Sequence, residues 1–396
     1  MRVCLLTAEF SPQVGGLGDY THHLATALST ADIDVDVLTS PVDGRACVDT
    51  DERLYTLRRS IASWDFGLLR QVEDELQSLK PDILHIQYQT GAYGMHPAVN
   101  LLPRWLHWQS ATARTVTTFH DLRDPYLFPK AGPVRSWATR QLVQYSNGIV
   151  LTNPEDEVAV RPGLGATQVA RLIAIGSNIP ACPTISASDK ANVRERLGVG
   201  ATEPLLGYFG LPHPSKGIET LFHALAMIRS RGDEVTMLMI GGVEPTSAAG
   251  RYVEHLQQLA VELGIADVVR WTGYLSPSQV AESLATLDCC VLPFTDGASY
   301  RHGTLIAAMA AGAPVITTQP AHSLPNTTLP ALSDGDNCRL VTPNDPKQLA
   351  EAIGSALSSS EQRKKLSTGA LMFTRSFTWE AIAAQTVSLY QEVMAA

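Results

Sequence analysis

The sequence predicts an α/β protein of two parallel-sheet domains in series, and three observations carry that expectation. Short β-branched or apolar runs alternate with longer amphipathic stretches from end to end, as parallel strands alternate with the helices that cover them. The alternation stops once, at IGSNIPACPTISASDK (residues 175–190), where prolines and clustered Ser, Asn and Thr read as a linker. The length of 396 residues suits two domains at roughly 100 to 200 residues each. The boundaries drawn are 1–178 and 179–377, followed by a closing helix over 378–396.

In the first half, strands are predicted at Val3 to Thr7, Ile33 to Leu38, Ile83 to Gln87, Thr115 to Phe119 and Gly148 to Thr152. A helix between the first two sets Tyr20, Leu24, Ala27 and Leu28 on one apolar face. Past the linker the strands run Leu205 to Phe209, Val235 to Ile240, Val268 to Trp271, Asp288 to Leu292, Pro314 to Thr317 and Cys338 to Val341. Two helix starts are marked chemically. Ser276 with Pro277 and Gln279, and Asp345 with Pro346 and Gln348, each supply an N-cap, an N1 proline and an N3 amide. The last segment places Trp379, Ile382, Thr386, Leu389 and Val393 on one helical face, which fits packing across both domains or on the second alone.

Composition narrows the function. Lys and Arg number 30 against 39 Asp and Glu, a net charge of −9, which disfavours a nucleic-acid binder that works by neutralising phosphates. The six cysteines, Cys4, Cys47, Cys182, Cys289, Cys290 and Cys338, form no CxxC pair and read as buried thiols of a reducing compartment. The N-terminal run MRVCLLTAEF reaches Glu9 before a signal-peptide core is complete, and no window approaches the length of a spanning helix. A cytoplasmic protein, touching a membrane only from outside if at all, is the expectation.

Strand one leads into AEFSPQVGGLGDY, where Gly15, Gly16 and Gly18 open the first helix. Such a loop suits a phosphate at a helix N-terminus, or is simply a tight strand-to-helix turn. The GxGxxG fingerprint fails, because Gly16 and Gly18 are followed by Thr21, and no acid ends strand two; a nicotinamide dehydrogenase is disfavoured. In the second half, Lys216 follows a strand and a proline-rich loop, and stands before a helix. Alone it reads as a solvated lysine or as an ammonium at the ligand edge of the sheet. The segment DCCVLPFTDGASYRHGTLIAAMAAGAPVITT adds Arg301, His302 and a helix start at Gly303 and Thr304, so cation and backbone N–H groups suit a diphosphate.

With those residues in place the chain resembles the family 4 retaining glycosyltransferases of GT-B fold along nearly its whole length. Seven segments appear in family order: the Pro12 to Gly18 loop, TTFHD around His120, IGSNIP, Lys216-Gly217, the MIGG turn at Gly241-Gly242, VRWTGYL and AMAAGAPVI. The resemblance implies two Rossmann-like domains facing a cleft, with the final helix crossing back to the first. It implies a nucleotide-diphosphate sugar held mainly by the second domain, an acceptor hydroxyl over the first, and transfer with retained configuration. Lys216 and His120 would be the catalytic residues. Gly15, Gly16, Gly18, Gly210, Gly241, Gly242, Tyr274, Ser299, Arg301, His302, Gly303 and Thr304 would bind the donor, with the 241–244 and 273–275 segments lining the base pocket by backbone.

Two departures stand out. Gly210 is followed by Leu211 where the family commonly has arginine, and Ser299 and Ala307 occupy the places of two glutamates. Arg301 is expected to replace the missing cation, with Ser299 as a weaker sugar or phosphate contact. A catalytically silent nucleotide-sugar-binding protein is the alternative. No cofactor and no metal are expected: the DxD pairs Asp32/Asp34, Asp34/Asp36, Asp49/Asp51 and Asp334/Asp336 read as solvated edges and turns, and His22 and His23 diverge on a helix. Between residues 101 and 145, Arg104, Arg114, Arg123, Lys130, Arg135 and Arg140 interleave with Trp105, Trp108 and Trp137. This stretch reads as a helix with solvated arginines, or as a contact for anionic headgroups or a phosphorylated acceptor; the acceptor itself would be a glycan, a lipid-linked sugar or a small molecule.

Overall fold

The computed structural model describes residues 1–13, 15–42, 46–49, 54–122, 132–165, 167–180, 185–242, 247–321 and 328–396. Two compact units emerge, one of Met1–Gly176 with Thr378–Ala396, the other of Ser177–Pro325 with Pro330–Phe377. In the first, β1 (Arg2–Leu6), β2 (Asp34–Leu38), β3 (Cys47–Asp49), β4 (Thr56–Arg59), β5 (Ile83–Gln89), β6 (Arg114–Asp121), β7 (Gly148–Leu151) and β8 (Val169–Leu172) form one sheet in the order β3-β4-β2-β1-β5-β6-β7-β8. All pairs are parallel except β3 with β4. The second sheet, β9 (Leu205–Phe209), β10 (Thr236–Ile240), β11 (Val269–Trp271), β12 (Cys289–Leu292), β13 (Val315–Thr318) and β14 (Arg339–Val341), is wholly parallel in the order β11-β10-β9-β12-β13-β14. Central strands such as CCVL are buried at every position, as strands covered on both faces require.

Both sheets reverse direction beside their first strand. The chain lays β1 down, builds outward through β2 and β4, then returns to the other side of β1 with β5; β9, β10 and β12 repeat this. Each reversal leaves a crevice between two loops that leave the carboxyl ends of neighbouring strands in opposite directions, the usual ligand position in such sheets. In the first unit these are the loops after β1 and β5, in the second those after β9 and β12.

Strands β3, β4 and β8 were not among those expected. They are short, and β4 carries two arginines that hide its pattern. Arg58 donates to Asp36 Oδ1 at 2.6 Å, and Arg2 Nη2 lies 2.9 Å from Oδ2. Asp36 is therefore no solvated edge residue: it is buried in β2 and neutralised by two guanidiniums. Cys47 is another correction, since it lies exposed on the edge strand, while Cys4, Cys289, Cys290 and Cys338 are buried; Cys182 lies outside the described residues. On α1 (Gly16–Thr30), Leu24, Ala25 and Leu28 go fully inside and Ala27 only partly.

The capping residues at Ser276 and Asp345 do what their chemistry requires. Ser276 and Gln279 form a reciprocal capping box at α9 (Pro277–Thr286), and Asp345 accepts from Gln348 N–H at α11 (Pro346–Ser358). The closing helix α13 (Trp379–Ala395) belongs to the first unit, where Ile382, Ala383, Leu389, Tyr390 and Val393 join the core. Packing on the second domain alone is thus excluded.

Glycine makes room for that helix. A Cβ on Gly148 would sit 2.7 Å from Val393 Cγ2 and 3.2 Å from Leu389 Cδ2. Gly148→Leu is therefore expected to destabilise the protein by roughly 1–3 kcal/mol through overpacking. Urea unfolding checks this, and an unchanged midpoint would mean that α13 is not held by close approach to β7.

Candidate functional site

The second unit assembles its site at the β9/β12 reversal. Gly210 follows β9 with φ +133°, and a Cβ there would stand 2.8 Å from Thr304 Cγ2, so this loop abuts the start of α10 (Gly303–Ala310). A 3-10 turn, Pro214–Lys216, then presents the lysine; the His213 side chain caps the turn by accepting Ser215 N–H at 3.2 Å. Gly217 closes the turn at φ +67°, with no space for a Cβ against the Pro293 carbonyl. Thr295 N–H donates to Ser215 O at 3.0 Å, tying the turn to the loop after β12.

Phe294 is the hub. Its buried ring lies 5.1 Å from Lys216 Nζ and stacks on His302 at 3.7 Å between centroids and 16° between planes. Burial pulls the Lys216 ammonium below the usual lysine range, with Asp296 acting in the opposite sense. His302 Nδ1 accepts Ser299 N–H at 3.3 Å, and Ser299 Oγ accepts Arg301 N–H at 3.3 Å, so residues 299–302 form one folded loop. Tyr300 anchors it, stacking with Phe373 and Phe377 and donating to Pro330 O at 2.8 Å. Gly303 N–H, expected to face a diphosphate, instead donates to Arg301 O at 3.1 Å. Thr304 N–H has no hydrogen-bond acceptor among the described residues.

Beside this loop, Gly241 pairs with Gly273 across β10 and β11, and a Cβ on Gly242 would strike the Tyr274 backbone. A recess of about 500 Å³ is lined there by Gly241, Gly242, Gly273, Tyr274, Pro212, Val253, Gln257 and Trp271. Tyr274 is 84% exposed at its mouth. Gln257 was not foreseen: it comes from α8 (Ala248–Glu262), far from any motif, and only its position on the exposed side of that helix could have hinted at it. Val243 and Glu244 lie outside the described residues.

In the first unit the three loop glycines divide their work. A Cβ on Gly15 would collide with the Glu9 carboxylate, and one on Gly18 would approach Glu9 O and Phe10 Cα at 3.0 Å; both serve internal packing. Gly16 alone faces open space. His120 ends the buried run of β6, with Nε2 2.9 Å from Gln87 Oε1 and its ring edge-on to Tyr20 at 4.4 Å. Tyr20 in turn meets Trp379 of α13 at 5.2 Å. Burial lowers the His120 pKa to about 3, so the imidazole is neutral at physiological pH. Two residues before Gln87, buried His85 bonds Tyr390 and Thr118 at 2.6 Å each, also with its pKa lowered to about 3 by burial. Polar residues at 85 and 87 of an otherwise apolar strand are the sequence signal for this network.

The basic stretch is only partly what its composition suggested. Arg104 is taken up internally, over Trp108 at 4.4 Å and donating to Gln141 at 2.8 Å, and Trp105 Nε1 donates to Glu73 at 3.1 Å. Trp108 and Trp137 are exposed, while Arg123 and Lys130 lie outside the described residues. Among the described residues no helix is long and apolar enough to cross a membrane.

Comparison with known proteins gives this geometry its context. The family model described as Glycosyltransferase Family 4 matches residues 14–161, and that described as Glycosyl transferases group 1 matches residues 203–359. The D-inositol 3-phosphate glycosyltransferase of Corynebacterium efficiens is 24% identical, with 100% of this chain and 96% of that protein covered. The MMP alpha-(1->4)-mannosyltransferase of Mycolicibacterium hassiacum is 32% identical over 46% of this chain, an alignment spanning 41% of that protein. Among solved structures, sucrose-phosphate synthase from Thermosynechococcus elongatus superposes with TM-score 0.75 at 23% identity, covering 100% of this chain and 99% of that one. Anabaena HepE in complex with UDP gives 0.71 at 18% identity, covering 98% and 99%. The chain belongs to the group 1, family 4 glycosyltransferases, and its fold is GT-B.

His85, buried, and His120, half-buried, set an acid limit. In the unfolded chain they titrate near 6.5, whereas His85 and His120 resist protonation when folded, so their contribution is present above about 6.5 and is lost as pH falls toward 3. Thermal unfolding at pH 4.5 is expected to occur well below that at pH 7. His85→Gln should reduce this dependence; an identical pH slope in the variant would show that His85 is not buried neutral.

Proposed function

We propose that this glycosyltransferase moves a sugar from a nucleotide-diphosphate donor to an acceptor hydroxyl with retained anomeric configuration. The observation that carries the reading is the meeting, on Phe294, of the Lys216 turn with the loop that opens α10. A desolvated ammonium there gains most when a diphosphate arrives, and it acts where negative charge grows as the sugar departs. Thr304 N–H adds a donor at the positive end of α10, and Arg301 supplies the second cation that Leu211 does not. The recess at Gly241 and Gly273 takes the base, with Tyr274 and Gln257 at its rim. That HepE is described as bound to UDP supports a nucleotide in such a recess.

His120 acts as a neutral group. With Nε2–H donating to Gln87, Nδ1 is left as an acceptor for a sugar hydroxyl, and proton release to bulk is not its role. Retention calls for the acceptor to approach the face that the diphosphate leaves, and Ser299 then positions the sugar where a glutamate is missing.

UDP, ADP and GDP serve as probes of the donor site. Lys216→Met is expected to weaken the best of them at least tenfold and Arg301→Ala to weaken it less, both with a shallower salt dependence, by calorimetry. In the wild type that affinity should fall as pH rises through the depressed Lys216 pKa, below the ordinary value of about 10.4, and Lys216→Met should lack this limb. Unchanged binding in Lys216→Met contradicts the assignment. Transfer from a panel of nucleotide sugars, with product anomers read by NMR, tests the reaction; binding without turnover would select the silent alternative. The kcat profile between pH 5 and 8 should show no limb that disappears in His120→Asn.

A further inference from the structure

We propose that the first unit holds a second small-molecule site, at the amino edge of its sheet, which takes an α-amino acid with an apolar side chain. A recess of about 380 Å³ opens there between α2 (Leu68–Leu79) and α3 (Ala98–Trp108). Glu73, Leu76, Gln77 and Lys80 wall it on one side, and Leu106 with the turn of residues 109–113 on the other. That turn leads into β6, and Lys80 to Asp82 lead into β5, whereas His120 and Gln87 stand toward the carboxyl ends of the same two strands. The recess is thus at the far edge of this sheet from those groups, and its assignment does not rest on the glycosyltransferase reading.

The walls are held in place from beneath. Arg114 N–H donates to Asp82 O at 2.9 Å, tying the two turns together. Arg2 joins them to β1, with its backbone N–H on Asp82 Oδ2 at 2.7 Å and Nη1 on Leu79 O at 2.9 Å. Lys80 and Ser110 each close their helix in the left-handed region, at φ +50° and +54°, so the chain turns sharply at the mouth. The opening is preformed, as small-molecule sites usually are.

The lining defines the ligand. Glu73, Leu76, Gln77 and Lys80 follow the i, i+3, i+4, i+7 spacing and make one stripe along α2. Leu76 and Leu106 are buried and give the stripe an apolar floor. Glu73 Oε2 accepts Trp105 Nε1–H at 3.1 Å, which fixes the carboxylate and leaves Oε1 open among the described residues. Lys80 is exposed at the other end of the stripe, and among the described residues neither charge has an ion-pair partner. Seven residues of helix, about 10 Å at 1.5 Å each, keep the two from pairing with each other. An anion entering the recess would meet Glu73 as a like charge, and a cation would meet Lys80. A molecule that carries an ammonium and a carboxylate beside an apolar body answers both charges and the floor, whereas a neutral sugar answers neither charge.

Saturation-transfer NMR on the intact chain with L-leucine, L-methionine and L-phenylalanine tests this. At least one is expected to bind at about 10 mM or below, and about tenfold more weakly both to Glu73→Gln, which keeps an acceptor for Trp105, and to Lys80→Met. N-acetyl-leucine, lacking the ammonium, should bind weakly and alike to the wild type and Glu73→Gln; leucine amide, lacking the carboxylate, should not distinguish the wild type from Lys80→Met. UDP should leave amino-acid binding unchanged. No binding to the wild type, binding that ignores either variant, or displacement by UDP refutes the site.

Discussion

The Lys216 site depends on one topological constraint: each sheet starts in its middle. Because β9 is flanked by β10 on one side and β12 on the other, the loop bearing Lys216 faces a loop formed some 80 residues later, a separation also spanned by the Thr295 to Ser215 bond. Neither loop makes a site alone. The lysine turn is shaped by Gly217 against Pro293, and the later loop by His302 against Phe294, so each is the other's support. The first unit repeats the plan with the loops after β1 and β5, and beside them Gln87 of β5 fixes His120 of β6.

Desolvation decides how these groups behave. Lys216 is partly desolvated beside Phe294, while buried His85 and half-buried His120 are kept neutral. A net charge of −9 is compatible with the proposed diphosphate site: the acidic groups are largely at the surface, while Lys216 and Arg301 stand near the start of α10. The same logic explains Asp36, whose burial is tolerated because two arginines meet it.

Strands with unbroken apolar runs, helix caps and the glycine turns were legible because each depends on neighbours in the chain. Ser276 and Asp345 needed only the residue three positions on. What could not be read was decided across the sheet. Strand β4 looks like a charged loop until Asp36 is set beside Arg58, and Gly15 and Gly18 look like ligand glycines until Glu9 is seen against them. Gly303 likewise loses its N–H to Arg301 O through a local fold that no motif encodes. Phe294, Gln87 and Gln257 carry no signature, since an aromatic or amide gains its meaning from what the fold brings to its face.

The central claim is that a nucleoside diphosphate sits at the β9/β12 reversal with its phosphates against Lys216 and the start of α10. A crystal structure of the chain grown with UDP tests this most directly. The account expects the diphosphate within hydrogen-bonding reach of Lys216 Nζ and Thr304 N–H, with the base in the recess lined by Gly241 and Gly273. A diphosphate bound away from Phe294, with Lys216 turned to solvent, would contradict it.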